Sequence, residues 1–167
     1  MKNATVVFLE NKEGEICLAR KKQAIHSEEG RVEYSLGLYN GYGGKMEDYD
    51  ETIEDTARRE LFDESSVSCE KEDLAHKGTV LFILEKEGER KPFMEVHFYT
   101  LSVWEGCPKE GSEMGPPTFF AKTDLPYSEM MPADKVLFEK MFEEKDISGE
   151  VILFGKETSP EVHFVCE

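Results

Sequence analysis

The sequence predicts an α+β domain in which a mixed β-sheet lies between helices. Strand-like segments outnumber helical ones, and the two long helical segments are far apart in the chain, which favours this class. Hydrophobic residues (39%) and charged residues (34%) are balanced as in a globular protein. A chain of 167 residues can build one buried core, so residues 1–167 are assigned to a single domain.

The N-terminal third is predicted to contain a β-hairpin and a long polar loop. ATVVFLE and EICLARK read as two strands, and NKEG between them is typical of a turn. The segment around His26 to Ser35 is polar and predicts a loop. The glycine-dense LYNGYGGKM that follows it fits no regular element.

From Thr52 to Ser65 the pattern becomes helical, because Ile53, Ala57 and Leu61 recur every four residues. Thr52 and Asp55 are spaced as in a capping box at its start. The remaining predicted elements are strands at 78–84, 93–105 and 116–122, a helix at 133–145, and two closing strands, EVILFG and EVHFVCE.

The net charge of −16 argues against a broad nucleic-acid surface, because 36 acidic residues outnumber 20 basic ones and repel phosphates. The negative charge is still compatible with binding of a small polyanion, since a bound cation reverses the charge locally. Cysteines 17, 69, 107 and 166 form no C-x-x-C pair, which argues against zinc and fits reduced thiols. The apolar run near the N-terminus is too short for a signal peptide, and no run approaches the ~20 apolar residues of a membrane span. We therefore expect a cytoplasmic protein with no membrane partner.

The predicted helix carries three carboxylates on one stripe. Glu60 and Glu64 are one turn apart, and Asp63 lies between them on the same side. Like charges at this spacing cost a helix about 0.2–0.5 kcal/mol per pair. A hard dication such as Mg²⁺ would convert that repulsion into coordination and would keep waters for a phosphate ligand. Arg59 should point about 100° away from the stripe, where Glu51 could hold it in an ion pair.

A Gly43-Gly44-Lys45 loop precedes this helix by only a few residues. Glycines allow backbone to approach an anion closely, and Lys45 adds a positive charge. The segment is not a Walker A loop, because Tyr39 stands where the first glycine would be and Met46 replaces Ser or Thr. Loop and helix together indicate a site for a metal ion and a phosphate chain.

The segment resembles the Nudix box, G-x5-E-x7-R-E-U-x-E-E-x-G-U with U aliphatic. The matching residues are Glu51, Arg59, Glu60, Leu61, Glu64 and Val67. Six residues separate Gly44 from Glu51 where the box has five, Asp63 replaces a Glu, and Ser66 replaces the final Gly. A serine in a left-handed helix end costs about 1–2 kcal/mol.

More of the chain is similar to the oxidised purine nucleoside triphosphatase branch of that family, whose members cleave 8-oxo-dGTP to monophosphate and pyrophosphate. The resemblance implies a Nudix fold and a Mg²⁺ cofactor, with Mn²⁺ as a substitute. It implies metal ligands and catalytic residues at Arg59, Gly44, Glu60, Asp63, Glu64 and Glu113. It implies substrate contacts at Lys21, Asn40, Gly43, Lys45, Phe82, Met131 and Asp134.

The resemblance departs from the branch where the base would be recognised. Met131-Pro132-Ala133-Asp134 replaces the branch's Trp-Pro-Asp-Asp. Methionine gives a more pliable contact than tryptophan, and one of two base-reading acids is missing. The expected function is therefore hydrolysis of a nucleoside triphosphate, with the base left open.

Two alternatives remain at this point. One is hydrolysis of another nucleoside diphosphate derivative, a sugar nucleotide or a dinucleoside polyphosphate. The other is a catalytically silent nucleotide-binding module. The expected partner in each case is a small nucleotide, and the protein is expected to be a monomer or a homodimer. The four histidines show no ligand spacing and are interpreted as structural.

Overall fold

A computed structural model describes residues 1–22, 36–143, 146–154 and 159–165, so the predicted 26–35 loop lies outside the described residues. The regular elements follow in chain order as strands β1 (Lys2–Leu9), β2 (Ile16–Arg20) and β3 (Tyr39–Asn40), helix α1 (Ile53–Ser65), strands β4 (Leu74–Lys86), β5 (Glu89–Leu101) and β6 (Thr118–Phe120), helix α2 (Asp134–Glu143), and strands β7 (Ile147–Leu153) and β8 (Glu161–Phe164). Short 3₁₀ turns occur at Lys71–Asp73 and Tyr127–Glu129.

The main sheet has five strands in the order β1-β5-β4-β7-β8. Pairing is parallel between β1 and β5 and between β4 and β7. It is antiparallel between β4 and β5 and between β7 and β8. The predicted mixed sheet is therefore confirmed.

A second sheet of three strands, ordered β3-β2-β6, was not predicted. It corrects the expected N-terminal hairpin, because β1 and β2 belong to different sheets and share only the Glu10–Ile16 bridge. The NKEG turn itself forms, since the Asn11 side chain accepts the N–H groups of Glu13 and Glu15. The strands diverge after that turn because β1 pairs along its whole length with β5.

The β4–β5 hairpin is longer and tighter than expected. Its turn consists of Glu87 and Gly88, both with positive φ (54° and 82°), as type I′ hairpin turns require. The second strand ends at Leu101 instead of 105, because its two neighbouring strands also stop pairing there. The other boundaries differ less, and β6 is confined to 118–120.

The main sheet is covered by a helix on each face, as predicted. Phe8 and Val7, adjacent on β1, face opposite layers because successive strand residues alternate. The layer beneath α2 includes the helix residues Leu137, Phe138 and Met141. The layer beneath α1 includes Ala57, Leu61, Tyr42, Val67 and Tyr99. No helix among the described residues is long and apolar enough to cross a membrane.

Helix α1 begins and ends at the predicted residues. The Thr52 side chain accepts the Asp55 N–H at 3.2 Å, and the Asp55 carboxylate accepts the Thr52 N–H at 3.0 Å, which completes the capping box. At the other end Ser66 has a left-handed conformation (φ 66°) and donates its N–H to the Phe62 carbonyl at 2.8 Å. These two ends fix the orientation of the carboxylates between them.

Candidate functional site

Gly43 and Gly44 lie where the loop after β3 meets β1 and α1. A Cβ on Gly43 would lie 1.7 Å from the Thr5 carbonyl oxygen, and one on Gly44 would lie 2.5 Å from the Glu60 carboxyl carbon. These glycines are needed for close contact with strand and helix, a role that the sequence interpretation did not assign to them. The Gly44 carbonyl accepts the Thr5 N–H at 2.9 Å, leaving its second lone pair for the predicted cation.

Glu64 is a buried carboxyl group on the inner side of α1, only 8% exposed. It accepts the Gly43 N–H. Burial, together with the negative charges of Glu60 and Glu113, raises the pKa of Glu64 to about 8, while Lys21 and the Gly43 N–H oppose this shift. A bound cation would stabilise a carboxylate that is buried from solvent and close to other negative charges.

Glu60 is half-buried, and burial raises the pKa of its carboxyl group. The Arg59 guanidinium opposes this shift by donating a hydrogen bond of 2.8 Å from Nη1 to Glu60 Oε1. The charges of Glu113 and Asp63 act in the same direction as burial. The four predicted carboxylates are thus electrostatically connected, although Asp63 and Glu113 are exposed.

Arg59 is held by Asp50, which corrects the predicted pairing with Glu51. Its Nε and Nη2 atoms donate to Asp50 Oδ1 and Oδ2 at 3.0 and 2.8 Å. Asp50 also accepts the Thr56 hydroxyl and the Glu47 N–H, at 2.9 and 3.0 Å. The Arg59 side chain, expected to point away from the acidic stripe, therefore turns back to contact Glu60.

Asp50 is a site residue that the sequence interpretation missed. A signal for it was available, because five residues separate Gly44 from Asp50, as the box requires. Its hydrogen bonds from Arg59 strongly lower the pKa of the Asp50 carboxyl group, which stays ionised and fixes the guanidinium. The additional residue of this chain therefore lies between the acid and the arginine, at the start of α1.

Glu113 is carried by a turn closed by a hydrogen bond from the Gly111 N–H to the Met114 carbonyl, 3.0 Å. Lys22 holds this turn with a backbone hydrogen bond to the Glu113 carbonyl (2.8 Å) and with Nζ bonds to Gly111 O and Glu110 Oε1, both 3.0 Å. A Cβ on Gly111 would lie 3.2 Å from the Glu64 carbonyl oxygen, so the turn also approaches α1. No motif in the sequence indicated this role for Lys22.

The two predicted lysines lie in different segments next to the carboxylates. Lys21 follows β2, pairs with Met114 of the Glu113 turn, and acts electrostatically on Glu64. Lys45 pairs with Ala4 of β1, and its carbonyl accepts an Arg59 hydrogen bond at 3.1 Å. Both positions are compatible with contacts to a polyphosphate.

Two of the residues expected to meet the base, Phe82 and Asp134, lie on the α2 side of the main sheet. Phe82 packs against the layer beneath α2. Asp134 begins α2, is buried, and accepts the Met131 N–H at 3.2 Å. Burial raises the pKa of Asp134 to about 7. The Asn40 carbonyl oxygen is occupied by the Gly41 N–H at 2.8 Å, which leaves its amide NH₂ to donate.

The carboxylates of this site fit magnesium better than a metal ion whose ligands all come from the protein. Among the described residues, no three His, Cys, Asp or Glu side chains are grouped closely enough to hold a metal ion unaided. Mg²⁺ is usually bound by one or two carboxylates, with waters and substrate phosphates completing its shell. Glu60 and Glu64 would supply those carboxylates, and the metal ligands stay a prediction.

Comparisons with known proteins agree on the family and the fold. Residues 1–146 match the family described as NUDIX domain. The chain is 34% identical to an oxidized purine nucleoside triphosphate hydrolase of Mus musculus over 117 residues, 70% of each chain. It is 34% identical to the protein of that name from Danio rerio over 137 residues, 81% of this chain and 77% of the relative. A MutT protein from Bacillus halodurans shares the fold, with TM-score 0.75, 19% identity and 97% coverage of each chain.

Proposed function

The chain belongs to the NUDIX domain family, and we propose that it hydrolyses nucleoside triphosphates to a monophosphate and pyrophosphate, with magnesium as cofactor and manganese as a substitute. The observation that carries the proposal is the pairing of Glu60 and Glu64 beneath the Gly43-Gly44 loop. The two carboxylates repel one another in a partly buried site, and burial and the negative charges of neighbouring carboxylates raise the pKa of each. A phosphate-bound cation would supply the missing positive charge.

Bound between these carboxylates and the substrate, magnesium would polarise the phosphates and lower the pKa of a bound water. The protein's own contribution is to fix the ligands. Arg59 holds one Glu60 oxygen and leaves the other to accept a proton or contact the cation. Glu113, exposed on its turn, is the second candidate for the base. Asp63 would contribute through a water, because its side chain is exposed on α1.

Positive side chains would serve the phosphate chain. We assign Lys45 to the leaving pyrophosphate, because it lies in the loop next to Gly44 and pairs with β1. We assign Lys21 to the nucleotide side, because it joins β2 to the Glu113 turn. Gly43 would give the polyphosphate a close approach to backbone. These assignments explain how an acidic protein can bind a polyanion.

An oxidised purine, as in 8-oxo-dGTP, is the base that we propose. The two relatives named as oxidized purine nucleoside triphosphate hydrolases support it. Asn40 would donate to the base through its free NH₂ group, with Phe82 and Met131 as apolar contacts. Asp134 would read the base edge, and its raised pKa allows the carboxyl group to donate as well as accept a hydrogen bond near neutral pH.

A panel of nucleotides scored by product tests this proposal. It should include 8-oxo-dGTP, dGTP, dATP derivatives and sugar nucleotides, each with Mg²⁺ and with Mn²⁺. We expect pyrophosphate and a nucleoside monophosphate, with 8-oxo-dGTP the preferred substrate. Inorganic phosphate as the first product, or no hydrolysis with either metal, would exclude it.

The sequence Met131-Pro132-Ala133 supports a second candidate function, which is hydrolysis of a sugar nucleotide or a dinucleoside polyphosphate. Met131 is partly exposed and flexible, and Ala133 adds no acid to read a purine. In the same panel, two phosphomonoesters from a diphosphate substrate would favour this candidate. Nucleotide binding without any turnover would favour a silent binding module.

We further propose that residues 1–167 form one domain, because β7 and β8 extend the sheet that β1 begins. The free cysteines Cys17, Cys69 and Cys107 and the net charge of −16 support a reducing, cytoplasmic setting and a small-molecule partner. A monomer or a homodimer is expected, which sedimentation would distinguish.

A further inference from the structure

Two histidines on the main sheet share one threonine hydroxyl. His76 Nε2 lies 3.1 Å from Thr79 Oγ1, and His97 Nδ1 lies 3.4 Å from the same oxygen. The outer nitrogen of each ring meets a carboxylate: His76 Nδ1 lies 3.0 Å from Asp146, and His97 Nε2 lies 3.2 Å from Glu95. The result is a continuous chain of five polar groups across β4, β5 and the residue before β7.

The donors and acceptors of this chain can be counted. Each outer nitrogen faces an acceptor-only carboxylate and must therefore carry a proton. If both rings were neutral, both inner nitrogens would present lone pairs to Thr79, whose hydroxyl has a single proton to donate. At one of the two contacts with Thr79 Oγ1, a nitrogen lone pair and an oxygen lone pair would then face each other with no proton between them. One additional proton on either ring removes the conflict.

We infer that the chain holds one such proton, on His76, and that His97 is neutral with its proton on Nε2. In this arrangement His76 donates to Asp146 and to Thr79 Oγ1. Thr79 in turn donates to His97 Nδ1, and His97 donates to Glu95. Every donor then has one acceptor, and the hydrogen bonds run in a single direction from the His76 side to the His97 side.

Burial distinguishes the two rings. The His97 side chain is 19% exposed and that of His76 is 36% exposed, so a charge on His76 is better solvated. Burial lowers the pKa of His97, which is consistent with a neutral ring there. Among the described residues, Glu54 of α1 acts electrostatically on His97, and the Tyr99 ring packs edge-on against His76 at 5.4 Å.

A proton explains the pair better than a metal ion does. Among the described residues, no third His, Cys, Asp or Glu side chain joins the rings in a group able to hold a metal. The proton also has a structural consequence. The chain ties β4 to β5 and to the start of β7, so losing the proton should weaken the sheet at that junction.

Nuclear magnetic resonance of the imidazole nitrogens tests the assignment on the unmodified protein. At about pH 6.5, near the ordinary imidazole pKa, we expect both His76 nitrogens to be protonated. His97 should show a protonated Nε2 and an unprotonated Nδ1. Two neutral rings at that pH, or a proton on His97 Nδ1, would overturn the inference.

The stability of variants gives a second, independent test. Thr79→Val lacks the hydroxyl but keeps the shape, and it leaves the inner nitrogens of both rings without their hydrogen-bond partner. We expect its unfolding constant at about pH 6.5 to be about tenfold higher than that of the wild type, the usual cost of a lost hydrogen bond.

His163→Gln is the matched control for this measurement. His163 also meets a carboxylate, that of Glu161 at 3.2 Å, but both side chains are more than half exposed. It should keep the wild-type unfolding constant within about twofold, as for an ordinary surface change. Equal unfolding constants for Thr79→Val and the wild type would show that the hydroxyl carries no such chain. Neither measurement depends on the proposed hydrolysis.

Discussion

Asp50 binds the Arg59 guanidinium through both of its carboxylate oxygens, at 3.0 and 2.8 Å. The pair is only partly exposed, with side-chain values of 4% for Asp50 and 23% for Arg59. Bidentate pairs of this kind restrict the orientation of an arginine side chain more than single contacts do. The third guanidinium nitrogen is thereby aimed at Glu60, which connects Asp50 to the proposed metal site.

Asp50→Asn should reduce kcat about 10- to 100-fold, the usual cost of removing a group that orients a metal ligand. Arg59 would lose its ionised partner and would no longer fix the Glu60 oxygen. Steady-state kinetics over a range of Mg²⁺ concentrations would measure both the loss of rate and the expected increase in the Mg²⁺ requirement.

Glu51→Gln is the control for that substitution. Glu51 is the adjacent acid, it is exposed, and Asp50 occupies the guanidinium in its place. Its kinetics should stay within about twofold of the wild type, as for an ordinary surface change. The reverse order of effects would mean that Arg59 changes partner in solution.

Glu64→Gln should lower turnover by about a thousandfold or more, several kcal/mol of lost transition-state stabilisation, without unfolding the protein. Glu64 is buried among like charges, and glutamine fills the same space. Asp63→Asn should cost about tenfold or less, because the exposed Asp63 would act through water. Equal effects of the two substitutions on kcat would contradict the different roles assigned here.

Asp134→Asn should stabilise the protein at high pH. Burial raises the pKa of Asp134 from 3.8 to about 7. A carboxyl group shifted upwards favours the folded state when protonated, so this contribution is lost as pH rises from about 4 through about 7. Asparagine stays neutral and keeps an acceptor for the Met131 N–H.

The unfolding free energies of the two proteins should therefore converge near pH 4 and differ by about 1–3 kcal/mol at pH 8. Denaturant titrations at the two pH values measure the difference. Asp124→Asn, at an exposed position of the preceding segment, should show no such divergence. Greater stability of wild type at pH 8 would place the ionised carboxylate in the native state.

Ser66→Gly should raise the free energy of unfolding by about 1 kcal/mol, because glycine adopts positive φ without the cost that a Cβ imposes. Ser66 has φ 66° and uses its backbone N–H, not its side chain, in the helix cap. Thermal unfolding measures the change. Ser68→Gly, in the bridge to Glu105, should be neutral or destabilising, and a comparable gain there would point to a non-local effect.

The sequence predicted the helical part of the site closely. The regular apolar spacing, the capping box and the row of carboxylates on α1 are local features of one helix. Nearby residues alone determine where Glu60, Asp63 and Glu64 lie on it. Ser66, which replaces the family's glycine, keeps the left-handed conformation for which the sequence interpretation stated only the cost.

Features that depend on pairing between distant segments were harder to predict. The NKEG turn was recognised, but its flanking strands join different sheets, because β1 finds its partner in β5 more than 80 residues later. The partner of Arg59 was assigned to the wrong acid because two adjacent carboxylates satisfy similar spacing rules, and only the folded loop distinguishes them. The grouping of His76, Thr79 and His97 depends on strand register, including a bulge between His76 and Gly78.

The location of the additional residue has a consequence for how this fold tolerates insertions. Thr52 starts a new helix whatever precedes it, and Asp50 reaches Arg59 from the loop side. Glu51, which lies between Asp50 and Thr52, is exposed to solvent. Residues can therefore be inserted or lost there during evolution without changing the contacts of Asp50 or the helix cap of Thr52. Variants with a longer loop should therefore carry the inserted residue at Glu51, where it would displace neither Gly43 and Gly44 nor the carboxylates of α1.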